Sequence, residues 1–222
     1  MSTEAVPMSE AASHTTPSAA ERASGVGPAN PLRLAVIVGG ARDGTSGPVV
    51  AEWFASRARK RPELDVDILD LAQAWLPDQP HDRATLPAAV RDLGHWLAAA
   101  DAFILVTPEY NHSFPGAMKT AIDWFCDEWQ AKPVGFVAYG GSASGLRAVD
   151  QLRLVFADLH AVTLADTVAF PGVDDCALYE GHHAAAEALL DRVIWWGGAL
   201  REARARHPYA MSCPLGSDPD AP

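Results

Sequence analysis

The stretch Thr107-Pro108-Glu109-Tyr110-Asn111-His112-Ser113-Phe114-Pro115-Gly116 decides the fold of this chain. It follows an uninterrupted apolar run, 102–106, which is typical of a fully buried parallel strand. It precedes an amphipathic pattern, 118–125, which predicts a helix. Because open α/β folds bind ligands at the carboxyl ends of their strands, this loop is expected to form part of a ligand site. A rigid, aromatic segment with polar tips suits a flat heterocycle better than a peptide or a metal.

Composition limits the classes of protein and of partner. The chain has 222 residues, of which 49% are hydrophobic, and this predicts one domain with a full core. The formal charge of -11 argues against nucleic acid or an anionic membrane surface as a partner. Cys126, Cys176 and Cys213 lie far apart and match no disulfide framework or zinc spacing. A reducing cytoplasm is therefore the expected compartment.

Two tails are expected to flank the domain. Residues 1–30 contain eight Ser or Thr and seven Ala but no Leu, Ile or Phe. This segment has too little apolar surface to offset the entropy of ordering, so a disordered tail is predicted. Residues 207–222, rich in Pro, Gly and Asp, are expected to form a second tail. The segment 31–206 is left as a single domain.

Strand and helix patterns alternate five times along this domain. Strands are predicted at 32–38, 64–69, 102–106, 134–139 and within 162–170, and helices from Pro48, over 86–97, 118–125 and 149–159, and from about 184 to 204. Five βα units predict a parallel sheet with helices on both faces. Right-handed crossovers favour the strand order 2-1-3-4-5 of a flavodoxin-like three-layer sandwich.

The loop after the first strand, Gly39-Gly40-Ala41-Arg42-Asp43-Gly44-Thr45-Ser46-Gly47, is a candidate phosphate site. Glycines let backbone N–H groups approach an anion, and the N-terminus of the following helix favours negative charge. Arg42 can fork onto phosphate oxygens, while Thr45 and Ser46 can donate hydroxyl hydrogen bonds. The alternative is an ordinary βα turn with a solvated arginine, because the loop matches neither G-x-x-x-x-G-K-[ST] nor G-x-G-x-x-G.

The second loop, 107–112, is expected to lie along a bound ring system. Pro108 fixes the backbone, and the N–H groups near Tyr110 and Asn111 can point at heteroatoms of the ring. The alternative interpretation is the start of a helix, with Pro115 in its first turn. The two interpretations are compatible.

The third loop, 138–145, contains Tyr139, Gly140 and Gly141 and leads into another helix. A glycine-rich turn offers N–H donors to the carbonyl-rich rim of a bound ring. There the donors would stabilise negative charge that develops on the ring during reduction. The loop does not contain G-x-S-x-G, since Ser144 stands where the last glycine would be. Serine hydrolase chemistry is therefore unsupported.

In order and content these three loops resemble those of the NADPH-dependent FMN reductase family of flavodoxin-like proteins. The resemblance covers about 32–171, and its most specific part, 107–124, follows the family pattern T-P-E-Y-N-x-S-x-P-G-x-[LM]-K-x-A-I-D-W nearly throughout. A second match is Tyr139-Gly140-Gly141 with the helix start Leu146-Arg147-Ala148.

The resemblance implies bound FMN that is reduced by NADPH or NADH and passes electrons to free flavin, quinones or azo compounds. By position, the implied contacts are to phosphate from Arg42 and Thr45, to flavin from Pro108, Glu109, Tyr110 and Asn111, and to the ring's rim from Gly140 and Gly141. No catalytic acid or base is expected, since stacking and positioning are the main contributions of the protein. The resemblance also implies a homodimer or homotetramer, with Trp124 and Trp129 as candidate subunit contacts.

Two departures from the family pattern bear on FMN affinity. Gly40 stands where the family has Ser, so one hydroxyl donor is missing, at a cost of about 1.5 to 3 kcal/mol that Ser46 can offset. Ser144-Gly145 stands where the family has paired glycines, which is expected to narrow the ring site.

Three histidines that do not belong to this pattern are candidates for a chemical role. His112, beside the ring loop, can shuttle a proton to a quinone or merely cap or pack. His182 and His183 lack a third ligand within reach in the sequence, so the solvated start of a helix is favoured over a metal site.

The sequence thus predicts an NAD(P)H-dependent, FMN-containing reductase with a small-molecule acceptor. One alternative is a flavodoxin-like electron carrier that binds FMN without oxidising NAD(P)H. Another, motivated by Gly40 and Ser144, is a protein of the same fold without redox turnover. The acceptor and the choice between NADPH and NADH are not determined.

Overall fold

A computed structural model describes residues 30–40, 46–77, 86–140, 142–171 and 180–209. Apart from Asn30 and residues 207–209, both expected tails lie outside the described residues. No helix in the described ranges is long and apolar enough to cross a membrane.

The described residues form an all-parallel sheet whose strand order is β2-β1-β3-β4-β5. This confirms the predicted flavodoxin-like order, with strand bounds that differ from the sequence prediction by two residues or fewer. The elements are β1 Leu32–Val38, α1 Gly47–Ala58, β2 Leu64–Asp70, α2 Ala88–Ala99, β3 Ala102–Pro108, α3 Gly116–Trp124, β4 Pro133–Tyr139, α4 Leu146–Asp158, β5 Val162–Phe170 and α5 Glu180–Arg206.

Hydrophobic side chains cover both faces of the sheet. Alternate residues of β1 point to opposite sides, so that Val36 packs with α1 and α5 while Ile37 packs with α2, α3 and α4. Every residue of β3 and β4 is buried, as expected for central parallel strands. The sheet is therefore rigid where its central strands end.

Trp129 lies in the core between α4 and the sheet, and not on the surface. Its ring centroid is 4.6 Å from that of Phe103 and 5.4 Å from that of Phe156, and the residue is 1% exposed. Trp124 is 5% exposed, and its indole N–H donates to the carbonyl of Pro77 at 2.9 Å. The expectation that these two tryptophans form a subunit contact is wrong, because each is already buried within its own chain.

Cys126 is 2% exposed and disulfide-bonded, which the wide spacing of the cysteines did not predict. The argument from cysteine spacing for a reducing cytoplasm is thereby removed. The cellular location stays a prediction.

Lys132 is a buried cation at the amino edge of the sheet. The residue is 5% exposed, and its Nζ donates to the carbonyls of Leu97 and Ala98, each at 2.9 Å, at the C-terminus of α2. A cation there interacts favourably with the last carbonyls of the helix, of which that of Leu97 also accepts from the N–H of Ala100 at 3.1 Å. Burial, together with the positive charge of Arg204, lowers the pKa of Lys132 to about 8.

The lowered pKa makes the contribution of Lys132 to stability depend on pH. Between about pH 8 and the ordinary lysine pKa of 10.5, the unfolded chain binds more protons at this position than the folded one. Stability must then rise with pH across this window. We expect the unfolding free energy of wild type, minus that of Lys132→Met, to increase by about 3 kcal/mol from pH 8 to 10.5.

Urea unfolding of both proteins at intervals from pH 7 to 10.5 measures this difference. A pH-independent difference for Lys132→Met would show that the buried amine titrates like a solvated one.

Candidate functional site

The three loops singled out from the sequence leave the sheet at one edge. Val38 of β1 is in register with Val106 of β3, and the N–H of Gly39 continues the pairing by donating to the Val106 carbonyl at 2.9 Å. Pro108 of β3 is in register with Tyr139 of β4, whose carbonyl accepts from the N–H of Glu109 at 3.3 Å. Parallel pairing therefore brings all three loop starts onto adjacent strands at the same end.

The first loop is described only at its two ends. Arg42 and Thr45, the expected phosphate contacts, lie outside the described residues. Ser46 is the N-cap of α1, its hydroxyl makes no capping hydrogen bond, and the first turn carries no acidic residue. Pro48 has no N–H, and that of Val50 donates to the Ser46 carbonyl. The hydroxyl of Ser46 and the N–H groups of Gly47 and Val49 thus form a neutral donor set of the kind that binds a phosphate.

A two-residue hairpin forms the centre of the second loop. The N–H of Tyr110 donates to the Ser113 carbonyl at 2.8 Å, and the N–H of Ser113 donates to the Tyr110 carbonyl at 3.0 Å. Asn111 and His112 between them have φ of 51° and 64°, as a type I′ turn requires. This conformation costs about 1 to 2 kcal/mol at His112 and less at Asn111, because asparagine tolerates the left-handed region. Such strain persists where the surroundings hold it, and it is concentrated at ligand sites.

The hairpin alters one expectation about ring contacts. The N–H of Tyr110 is already used within the hairpin, so a contact of Tyr110 with a ring is left to its other atoms and stays a prediction, as does the contact expected from Asn111. The N–H groups of Asn111 and His112 have no acceptor among the described residues, and both residues are exposed. They are the donors that this loop leaves for a ligand.

Glu109 turns its side chain inward at the base of this hairpin. The side chain is 4% exposed although the residue as a whole is half-buried, so the exposed part is backbone. Its Oε1 accepts from Nη1 of Arg147 at 2.9 Å, while Oε2 is buried and has no donor among the described residues. Beside a loop with free N–H groups, the site therefore holds a carboxylate oxygen ready to accept a hydrogen bond.

The third loop contains three left-handed residues among those described, Gly140, Ser144 and Gly145, with φ of 78°, 54° and 81°. At Gly145 a Cβ would lie 2.7 Å from Cβ of Ala138 and from the backbone nitrogen of Tyr139. At Gly140 nothing lies within 4 Å of a Cβ, so only the backbone conformation favours glycine there. Gly141, the other expected rim glycine, lies outside the described residues.

This donor and acceptor set fits the ring of FMN. The pyrimidine part of an isoalloxazine presents one N–H between two carbonyls, so it needs an acceptor flanked by donors. Glu109 Oε2 and the N–H groups of Asn111 and His112 offer that combination. The ring loop is also rigid, which favours a flat ligand.

A cavity of about 530 Å³ opens beside the same edge. The described residues that line it are all uncharged: Leu71, Ala72, Trp75, Leu76, Gly116, Ala117 and Thr120. Trp75 is 86% exposed, so its indole is accessible to an aromatic molecule. Gly116 begins α3 just after the ring loop, so the cavity provides space for an uncharged second ligand next to that loop.

Sequence analysis missed the side chains that support the ring loop. Arg147 contacts Glu109, and Gln151 contacts both His112 and Ser113. Their spacing of four residues places both on one face of α4, but nothing in the sequence indicates which loop that face meets. His183 lies against Arg57, with Nδ1 2.5 Å from Nη2, on the side of α1 and α5.

Gly140 and Gly145 of the third loop should respond differently to an added methyl group. Gly140→Ala should destabilise the fold by about 1 kcal/mol, because only a left-handed backbone opposes the methyl group. Gly145→Ala should cost about 3 kcal/mol, since a collision with Ala138 and the Tyr139 backbone adds to the same strain. Urea unfolding of the apoproteins gives both values. Equal losses would contradict the packing described around Gly145.

Comparison with known proteins identifies the family of this chain. The family model for NADPH-dependent FMN reductase matches residues 32–175. An NAD(P)H-dependent FMN reductase of Schizosaccharomyces pombe is 32% identical over 122 residues, which are 51% of this chain and 60% of that protein. A 2-hydroxy-1,4-benzoquinone reductase of Burkholderia sp. is 32% identical over 139 residues, covering 60% of this chain and 74% of that protein.

Solved structures share the fold. The crystal structure of an NADH:FMN oxidoreductase in its apo form superposes with a TM-score of 0.62 at 19% identity, covering 74% of this chain and 89% of the other. The matched family segment begins with β1 and ends after β5, so it contains all three loops of the candidate site. By this match, the chain belongs to the NADPH-dependent FMN reductase family.

Proposed function

We propose that this protein is an NAD(P)H-dependent, FMN-containing oxidoreductase that passes hydride equivalents from the nicotinamide through FMN to a flavin, quinone or azo acceptor. Family membership makes the chain an oxidoreductase with FMN as cofactor and NAD(P)H as co-substrate. The acceptor is the part that we add as a proposal.

The observation that carries the proposal is the strained Tyr110–Ser113 hairpin at the sheet edge. Two adjacent non-glycine residues with positive φ stand in the most specific part of the family pattern. The N–H groups of these two residues and the buried oxygen of Glu109 have no partners among the described residues. A flavin ring would supply the partners for both.

The residues have distinct tasks in this proposal. Ser46 and the N-terminus of α1 hold the phosphate, together with Arg42 and Thr45. Pro108, Glu109, Tyr110 and Asn111 hold one edge of the ring, and Tyr139, Gly140 and Gly141 hold its rim. FMN, when bound, supplies the redox chemistry, since it accepts two electrons from NAD(P)H and passes them on. The chain itself binds, orients and excludes water, so no acid or base is assigned.

The described lining of the cavity at Trp75 carries no charged side chain, which supports a neutral aromatic acceptor. A quinone or an azo compound is flat and apolar, so it matches such a surface better than an anionic acceptor does. His112 is exposed beside the ring loop and is given no catalytic task in this proposal.

Anaerobic reduction of the loaded protein tests the activity. The apoprotein should take up FMN and turn yellow, and NADPH or NADH should bleach the bound colour within seconds because nicotinamide reaches the ring. Absorbance in a stopped-flow cell measures the rate, and free FMN with NADPH is the control. Steady-state rates with free flavin, a quinone and an azo dye then rank the acceptors.

The alternatives give different spectra in the same experiment. A yellow protein that neither NADPH nor NADH bleaches would be an electron carrier. A protein that cannot be loaded with FMN would have the fold without the redox function. Either outcome rules out the proposed reductase.

Ser46 provides a test of the phosphate site alone. Ser46→Ala should weaken FMN binding about tenfold, because a hydrogen bond to a charged oxygen is lost. Riboflavin, which lacks the phosphate, should bind both proteins equally. Quenching of flavin fluorescence measures both dissociation constants.

Exposed Ser56, on the same helix, provides the matched control. Its hydroxyl donates to the carbonyl of Trp53 at 2.8 Å, so Ser56→Ala removes a hydroxyl without touching the loop. It should leave both affinities unchanged. An equal loss of FMN and riboflavin affinity in Ser46→Ala would place the phosphate elsewhere.

A further inference from the structure

The outer face of α4 contacts the ring loop at three places. Nη1 of Arg147 donates to Oε1 of Glu109 at 2.9 Å. Nε2 of Gln151 donates to the carbonyl of His112 at 2.8 Å, and the hydroxyl of Ser113 donates to Oε1 of Gln151 at 2.6 Å. Two side chains of one helix thus hold a loop that lies 38 or 39 residues earlier in the chain.

We propose that Arg147 and Gln151 are positioning residues that hold the loop from Glu109 to Ser113 in the conformation that binds the flavin ring. The proposal rests on the proposed function, because it assigns these residues to the same cofactor site. They act through the loop, and we do not place either of them against the ring.

The loop needs such support because its own backbone is strained. Asn111 and His112 both have positive φ, and the hairpin that contains them closes with two hydrogen bonds of its own. Gln151 adds two more, one to the carbonyl of the second strained residue and one to the hydroxyl of Ser113. Without them the hairpin can relax, and the N–H groups of Asn111 and His112 would lose their directions.

Arg147 controls the charge of the site. The carboxylate of Glu109 is 4% exposed, and Arg147 is its ion-pair partner among the described residues. A buried carboxylate without a partner would turn toward water and take the loop with it. While Arg147 occupies Oε1, Oε2 remains to accept the N–H of the ring.

The same guanidinium joins two of the three loops. Nη1 of Arg147 also lies 3.3 Å from the hydroxyl of Ser142, which follows β4. The side chain of Arg147 therefore contacts both the ring loop and the third loop. These contacts set the distance between the two loops, which must hold one flat ligand.

These contacts are separable from the folding of α4. The helix is packed on the sheet by Ala148, Val149, Leu152 and Phe156, which are buried. Gln151 is exposed, and the side chain of Arg147 is 41% exposed. Replacing either one removes contacts to the loop and leaves the buried face of the helix intact.

Four variants of α4 test the proposal: Gln151→Leu, Arg147→Gln, Arg147→Lys and the control Leu154→Gln. Leu154 is 75% exposed on the same helix, so its replacement changes the surface of α4 without touching the loop. The measurements are the dissociation constants of FMN and riboflavin well below the melting temperature, the thermal midpoint of each apoprotein, and the visible circular dichroism of bound flavin.

Gln151→Leu should raise both dissociation constants about tenfold, because the ring and not the phosphate loses its support. Arg147→Gln should raise them by about tenfold to a hundredfold, since it leaves a buried charge unpaired. Arg147→Lys should fall between wild type and Arg147→Gln, because lysine keeps the charge but not the forked geometry. The visible circular dichroism should change in Gln151→Leu and Arg147→Gln, and Leu154→Gln should match wild type in every respect.

The outcomes separate this inference from the proposed function. If wild type fails to bind FMN, the proposed function is wrong. If wild type binds FMN and the Gln151 and Arg147 variants bind flavin with unchanged affinity and circular dichroism, the positioning role is wrong. The role is also wrong if affinity falls only in proportion to the melting temperature of the apoprotein, since that is the behaviour of residues that merely stabilise the fold.

Discussion

Parallel pairing of β3 with both β1 and β4 is the constraint on which the site depends. The pairs Val38–Val106 and Pro108–Tyr139 set the heights at which the three loops leave the sheet. A shift of one residue would turn every side chain of a strand to the opposite face. Because both faces of β3 are buried under helices, the hydrophobic packing of the whole domain fixes this register, and with it the spacing of the loops.

The fold places a buried charge at each edge of the sheet and satisfies the two in different ways. At the amino edge, Lys132 donates to the Leu97 and Ala98 carbonyls at the end of α2, and no ligand is needed. At the carboxyl edge, Glu109 is paired on one oxygen by Arg147, and its other oxygen has no donor among the described residues. A closed set of hydrogen bonds stabilises the domain, whereas an incomplete one provides a place for a cofactor.

Backbone strain occurs at both edges of the sheet. Ala131 and His160 have positive φ at the amino edge, and Asn111, His112 and Ser144 have it in the loops at the carboxyl edge. Gln151 of α4 holds His112 and its neighbour Ser113 in place, although the helix itself contributes no atom to the family's motif in the ring loop. Support of this kind keeps the donors of a site in position before the ligand arrives, which lowers the entropy that binding would otherwise cost.

The sequence by itself determined the elements, their order and the family, because apolar periodicity and the 107–124 pattern are local signals. It also placed Pro108, Gly140 and their neighbours at one edge, since a parallel sheet leaves few alternatives. Only the tertiary structure decided which groups remain free for a ligand. The N–H of Tyr110 is used by Ser113, Trp129 is buried between Phe103 and Phe156, and Arg147 reaches Glu109. These are contacts between residues distant in the chain or made by a hairpin closing on itself, and no spacing of residue types specifies them.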